Sequence, residues 1–191
     1  MATPRKRGPR RRPRTELPSD SNPEGLVGRM RAFLRYQAVS NYAPRTVEKR
    51  EECLAMFARW CHERDLHDCE EITRPLLERY RRWVFDYRKQ NGKPLAFSTQ
   101  SSHISTLRVF FKWLARKQLM DRNPACELEL PRVQRGLPAV VFSAQEAEQV
   151  IAQPDPRTLK GLRDRALMEL LYATGMRRKE ASLLKLYDID R

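Results

Sequence analysis

The sequence predicts a mostly α protein: a four-helix domain, then the helical start of a second unit, with a basic disordered arm ahead of both. Three observations carry that expectation. Between residues 26 and 114 apolar side chains recur at helical spacings, and Pro, Ser, Thr and Gly fall where those patterns begin and end. After residue 122 the helical pattern is absent for about fifteen residues, with prolines at 124, 131 and 138, before it resumes. A chain of 191 residues has room for a small domain plus part of another. The expected divisions are an arm over 1–24, a helical domain over 25–122, a linker over 123–140 and a second unit over 141–191.

From Leu26 the first helix places Val27, Met30 and Leu34 on one face, until "SNYAP" interrupts it. Pro44 suits the first turn of a second helix, because its missing N–H would have no partner there anyway. In that helix Val47, Leu54, Phe57 and Cys61 form an inward stripe, while Arg45 and Lys49 sit one turn apart on a polar side next to Thr46. Thr73 reads as the N-cap of a third helix, with Pro75 in its first turn, a stripe of Leu76, Tyr80, Val84 and Tyr87, and "NGKP" as its end. The fourth helix starts near Ser98 and turns Ile104, Leu107, Phe111 and Leu114 inward, with Phe110 and Trp113 adding aromatic bulk.

The second unit opens on "FSAQEAEQVI", where Ser143 and Glu146 have the spacing of a capping box. A helix from about Leu159 to Thr174 carries Leu162, Ala166, Leu167, Leu170 and Leu171 as a broad buried face, and Gly175 stops it. A last helix starts around Arg178 and turns Leu183 and Leu184 inward. Arg177 then lies at a turn entering a helix N-terminus, a place that favours an anion.

Charge narrows the partner. Lys and Arg number 38 against 24 Asp and Glu, a net +14, so the surface attracts polyanions, with nucleic acid first among them. Seven cations (Arg5, Lys6, Arg7, Arg10, Arg11, Arg12, Arg14) lie in "MATPRKRGPRRRPRT", and removing them from +14 still leaves +7 on the remainder. That proline-interrupted arm has no apolar period with which to order itself; it either tracks phosphates or is a solvated tail. On the outer side of the fourth helix Ser101, Ser105, Arg108 and Lys112 follow one another at spacings of four, three and four. Small hydroxyls let a helix approach a phosphate backbone closely, and the cations supply charge; an ordinary solvated face has the same composition. Arg132 and Arg135 in the linker could follow a nucleic-acid backbone, or be incidental.

Other classes are disfavoured. No apolar run approaches the ~20 residues that span a bilayer, and no signal-peptide core follows the arm, so no membrane partner and a soluble, cytoplasmic, nucleoid-associated protein are expected. Cys53, Cys61, Cys69 and Cys126 are too few and too uneven for a disulfide framework. "CHERDLHDC" gathers two Cys and two His but lacks paired C-x-x-C knuckles, and Cys61 already fits a buried stripe, so no metal is expected. His103 reads as a surface or packing residue rather than a catalytic one.

"GLRDRALMELLYATGMRRKEASLLKLYDID" resembles the opening of the catalytic domain of the tyrosine recombinases, the phage-integrase and Xer-type family, whose usual pattern there is Ala-Thr-Gly-Leu-Arg-x-x-Glu-Leu. Ahead of it "APRTVEKREECLAMFARW", "STLRVFFKWLARKQLMDRNPA" and "LPAVVFSAQEAEQVI" resemble the family's SAM-like core-binding domain and the linker that follows, in order and spacing. The resemblance covers roughly residues 25 to 191. It implies that Arg177 is the first catalytic arginine, which binds the scissile phosphate, and that Glu180 is a carboxylate orienting it. A guanidinium suits the task because its ionised planar fork donates two parallel hydrogen bonds. Met176 and Ala181 stand where the family commonly has Leu, while Arg178 and Lys179 enlarge the basic cluster.

The family pattern continues through a catalytic Lys, a His-x-x-Arg pair, a further His or Trp and a nucleophilic Tyr, none of which this sequence reaches. Its tyrosines, Tyr36, Tyr42, Tyr80, Tyr87, Tyr172 and Tyr187, all precede or fall within the first block, so strand cleavage by the chain alone is not expected. The implied function is therefore that of a DNA-binding fragment or truncated form of a site-specific recombinase, acting on double-stranded DNA without metal or nucleotide cofactor, beside other recombinase protomers on paired sites. A noncatalytic DNA-binding regulator or competitor is the alternative, and a basic helical protein-interaction module a third.

Overall fold

The computed structural model describes residues 16–19, 22–132 and 141–188. The chain divides into two compact units, 1–134 and 135–191. Among the described residues the first unit contains α1 (Leu26–Val39), α2 (Pro44–His62), α3 (Arg74–Asp86) and α4 (Phe97–Arg116); the second contains α5 (Ala144–Ile151), α6 (Leu159–Thr174), α7 (Arg178–Leu183) and a short 3-10 turn (Leu186–Asp188). The fold is mostly α, as the periodicity predicts.

In the first unit α1 packs on α2 and α4, α2 on α4, and α3 on α4. On α2 the expected stripe is inward at Leu54, Phe57 and Cys61, each fully buried, and Cys53 joins them at 2% exposed, whereas Val47, near the start of the helix, is only half-buried. On α4, Ile104, Leu107, Phe110, Phe111 and Leu114 are buried with them. Phe57 lies at the centre: its ring meets Tyr80 edge-on at 4.8 Å between centroids, stacks with Trp60 at 6.1 Å and approaches Phe111 at 6.4 Å. Edge-to-face contacts of this kind add to the burial of the rings themselves.

Several expectations move by one position. The buried face of α1 is Leu26, Met30, Phe33 and Gln37, with Val27 and Leu34 half-buried at its flanks. Likewise α3 buries Leu77, Tyr80 and Val84, whereas Leu76 is half-buried and Tyr87, the C-cap, is exposed. In both helices the spacing finds the right side, and the neighbouring helix sets which row lies deepest. Thr73 does stand at the N-cap of α3, but its side chain makes no cap hydrogen bond. That helix also ends at Asp86, before "NGKP", because the chain turns back on itself through a bridge between Arg88 and Pro94.

The end of the expected arm is folded. Leu17 packs against the core, the Pro18 carbonyl accepts a hydrogen bond from Arg31, and Asn22 and Pro23 cross α1 at Gly28. A Cβ there would lie 2.3 Å from the Pro23 carbonyl oxygen, so only glycine admits this crossing. The arm over 1–15 lies outside the described residues. At the other end, Ala125 and Leu128 are buried in the same core, so the first part of the expected linker belongs to the helical unit. Ion pairs from Arg74 to Glu127 and from Arg81 to Glu129 tie this segment to α3.

His103 is a packing residue, 6% exposed against α2. Burial, with Lys49 adding repulsion, pushes its imidazole down to about 4, against support from the Cys53 carbonyl and Glu52. Its Nδ1 has no partner, so a second proton would sit unpaired in the core. Because the folded value is depressed below the ordinary imidazole value of 6.5, stability is complete above pH 6.5 and falls as pH drops towards 4, by about 3 kcal/mol at most. The difference between urea-unfolding profiles of wild type and His103→Gln should grow across that window and level off below it; parallel profiles would refute the assignment.

The second unit departs most from expectation. Ser143 and Glu146 form the predicted capping box, with the Glu146 amide donating to Ser143 Oγ and the Ser143 amide to Glu146 Oε2 at 2.8 Å. Gly175 caps α6 in the left-handed region, at φ 63°. Yet Gly161 is the one buried residue among those described here. Leu162 is 54% exposed and Leu167 43%, Ala166 is exposed, Leu170 and Leu171 are half-buried, and Leu183 and Leu184 lie outward. The two short helices that contact α6, α5 and α7, do not offer enough facing surface to enclose that many leucines.

Candidate nucleic-acid interface

Two grooves on the first unit share Ser105. The first lies between the N-terminal half of α2 and α4, lined by Arg45, Thr46, Lys49 and Arg50 on one side and Ser102, Ser105 and Thr106 on the other. The second runs from Ser105 past Arg108, Val109 and Lys112 to Asn123, Cys126 and Leu130. The fold thus brings six of the singled-out residues, Arg45, Thr46, Lys49, Ser105, Arg108 and Lys112, to one continuous edge. Ser101 lines neither groove and is half-buried.

The two sides differ in charge. On α2, Arg45 pairs with Glu48 and Lys49 with Glu52, each at 3.2 Å and three residues on. Such exposed pairs are worth only a few tenths of a kcal/mol, but they cancel charge locally. Helix α4 has no Asp or Glu along Phe97–Arg116, and among the described residues neither Arg108 nor Lys112 has an ion-pair partner. Its field is therefore the stronger, and both cations are exposed.

The hydroxyls face the groove with their oxygens rather than their protons. Ser102 donates to the Ser98 carbonyl at 2.8 Å, Ser105 to Ser102 at 3.2 Å and Thr106 to Ser102 at 2.8 Å. Each bonds back to its own helix, as Ser and Thr commonly do. To donate to an anion, a hydroxyl would have to rotate. Arg50, Ser102, Thr106 and Asn123 were not singled out from the sequence. The signal was present: Thr46 and Arg50, and Ser98, Ser102 and Thr106, are each spaced by four.

In the second unit, Arg177 stands at the N-cap of α7 with its side chain 86% exposed. Its amide donates to Glu180 Oε2 at 2.8 Å and its Nη1 to Glu180 Oε1 at 3.1 Å. One carboxylate therefore holds both ends of the residue and leaves most of the guanidinium fork open. Those two bonds, the backbone one first, keep the Glu180 carboxyl below its usual range. Thr174 Oγ1 donates to the Leu170 carbonyl and accepts from the Met176 amide, fixing the turn. Arg178 and Lys179 are exposed, as is Arg132; Arg135 lies outside the described residues.

Cys53, Cys61 and Cys69 are buried thiols, and Cys126 is an exposed one on the second groove. Burial pushes the Cys69 thiol up to about 12 and raises Cys53 and Cys61 as well. The described residues hold no group of three His, Cys, Asp or Glu placed to bind a metal ion. Nor is any described helix long and apolar enough to cross a membrane.

Comparison with known proteins places this architecture. Residues 29–121 match the family described as "Phage integrase, N-terminal SAM-like domain", which spans α1 to α4. The class is thus a SAM-like integrase domain followed by a further helical unit. Among curated proteins the chain is 45% identical over 165 residues to tyrosine recombinase XerC 2 of Ralstonia nicotianae, covering 86% of this chain and 48% of the relative. It is 31% identical over 159 residues to tyrosine recombinase XerC of Bacillus pumilus, covering 83% of this chain and 50% of that protein. The chain belongs to the tyrosine recombinase (phage integrase) family, and it spans about half the length of the curated relatives it matches. A crystal structure of the N-terminal domain of a phage integrase/site-specific recombinase from Haloarcula marismortui is also similar, with a TM-score of 0.49, 20% identity, and coverage of 56% of this chain and 96% of that one.

Proposed function

We propose that the first unit grips double-stranded DNA along the α2–α4 edge, as the DNA-binding portion of a site-specific tyrosine recombinase. The observation that carries this reading is α4 itself: a helix with no carboxylate, whose Arg108 and Lys112, without an ion-pair partner among the described residues, continue the hydroxyl line of Ser105. Cations without internal partners are available to phosphates, and spacing along one helix face lets them meet successive backbone positions. Arg45, Thr46 and Lys49 flank the same edge and Arg132 lies in the segment that follows it; Arg178 and Lys179 belong to the second unit.

Arg177, held by Glu180, is proposed to receive the scissile phosphate. Its exposed fork can donate a bidentate pair, which is the interaction a phosphate undergoing transfer requires. The work of affinity falls to the first unit, and binding of one phosphate to Arg177. Other recombinase protomers on neighbouring sites complete the proposed partners.

The test is the salt dependence of duplex binding by the 191-residue chain. Log affinity should fall linearly with log salt, by about 0.9 for each phosphate neutralised. A flat dependence between low and moderate salt would rule out a multi-phosphate grip.

A further inference from the structure

We infer that Arg50, pinned on the ring of Tyr42, is the phosphate anchor of the α2 side of this edge, in preference to Arg45 and Lys49. The inference rests on the reading of the first unit as a DNA grip, and names the residue that does the gripping there.

All three cations line the same groove opposite Ser102, Ser105 and Thr106. They are not equivalent. Arg45 and Lys49 each hold a carboxylate at 3.2 Å, Glu48 and Glu52, so binding a phosphate means breaking or sharing an existing ion pair. Arg50 has no ion pair or hydrogen bond with any described residue, and its Nη1 is buried without an acceptor. Among the described residues, then, the Arg50 guanidinium lies in the groove with no carboxylate to neutralise it.

Two further features fit an anchor. The Arg50 guanidinium carbon lies 5.1 Å from the centre of the Tyr42 ring, a cation–π contact that restrains a long side chain while leaving its charge intact. Restraint before binding removes part of the entropy cost of immobilising it afterwards. Across the groove the hydroxyl protons are already given to the helix backbone, so the groove offers mainly oxygen lone pairs. The donor for an incoming phosphate oxygen on this side must then be a cation, and of the three Arg50 is the one without a carboxylate among the described residues.

The experiment measures binding of the full chain to a mixed-sequence DNA duplex by fluorescence anisotropy over a salt series, with circular dichroism melting as the folding control. Arg50→Ala is expected to reduce the log–log salt slope by about 0.9 and to weaken binding roughly tenfold. Arg50→Lys, which keeps the charge, should retain the slope with intermediate affinity. As a positioning residue, Tyr42 should separate the two readouts: Tyr42→Leu keeps the slope and weakens binding severalfold, while Tyr42→Phe behaves as wild type. Arg45→Ala and Lys49→Ala should each change the slope by much less than Arg50→Ala. A wild-type slope in Arg50→Ala, with the loss appearing in Lys49→Ala or Arg45→Ala instead, overturns the inference and leaves the DNA grip standing. A flat slope in the wild type overturns both. If Arg50→Ala melts early, the Arg50→Lys and Tyr42→Leu pair decides: slope lost in either one contradicts the anchor.

Discussion

Replacing Arg108 and Lys112 together by alanine should cut the log–log salt slope of duplex binding by about 2, roughly one per cation, and lower affinity on the order of a hundredfold at moderate salt. Both side chains are exposed on the outer face of α4 and bonded to nothing among the described residues, so the fold should not notice the change. Melting temperature is expected to stay within a degree or two, since exposed substitutions of this kind cost only a few tenths of a kcal/mol. The loss should also be similar on duplexes of unrelated sequence, because a phosphate contact carries no base information. Loss confined to one sequence would mean that these residues read base edges instead. Loss accompanied by early melting would make them structural.

The opposite pattern is expected at Phe57. Its side chain is wholly buried and touches Trp60, Tyr80 and Phe111, three aromatic residues drawn from α2, α3 and α4. Phe57→Ala removes that shared contact and leaves a cavity that large flat neighbours cannot easily fill. A cost of about 3–5 kcal/mol is expected, a large share of the 5–15 kcal/mol that stabilises a typical domain. Urea unfolding of the first unit should shift accordingly, and DNA binding should fail only where the unit is unfolded. A shift below about 1 kcal/mol would mean that the aromatic cluster repacks and that the helices are held elsewhere.

The two substitutions mark what could be read directly from the sequence. Helical period finds α1 to α4 and identifies Phe57, Cys61, Ile104 and Leu114 as inward, because burial in a helical bundle follows from spacing alone. Period does not reveal what covers a face. That is why Leu162, Leu167 and Leu183 read as buried and yet lie open: their apolar spacing is sound, but the described helices of that unit do not supply the facing surface. Nor does it show close crossings. The folding of Leu17 and Pro18 onto the core depends on Gly28 letting Asn22 and Pro23 pass, a contact with no periodic signature.

For the candidate site the same division holds. Ser105, Arg108 and Lys112 are legible as a line on one helix, and the structure gives them a common groove with Arg45, Thr46 and Lys49 from another. Missed was the inequality among the α2 cations. It depends on which carboxylate reaches which cation: Glu48 and Glu52 stand three residues after Arg45 and Lys49, whereas Arg50 turns onto Tyr42. For Glu180 the family resemblance implies a brace, while its two bonds to Arg177 are geometry that spacing alone does not specify.

The distribution of thiols makes the unaltered chain its own reporter. Three of its cysteines are shielded within the core, and Cys126 opens onto the groove that holds Arg108 and Lys112. A thiol-reactive dye at neutral pH would therefore settle at the edge where DNA is expected to lie, so occupancy could be followed by the quenching or protection of a single native position without removing any other residue.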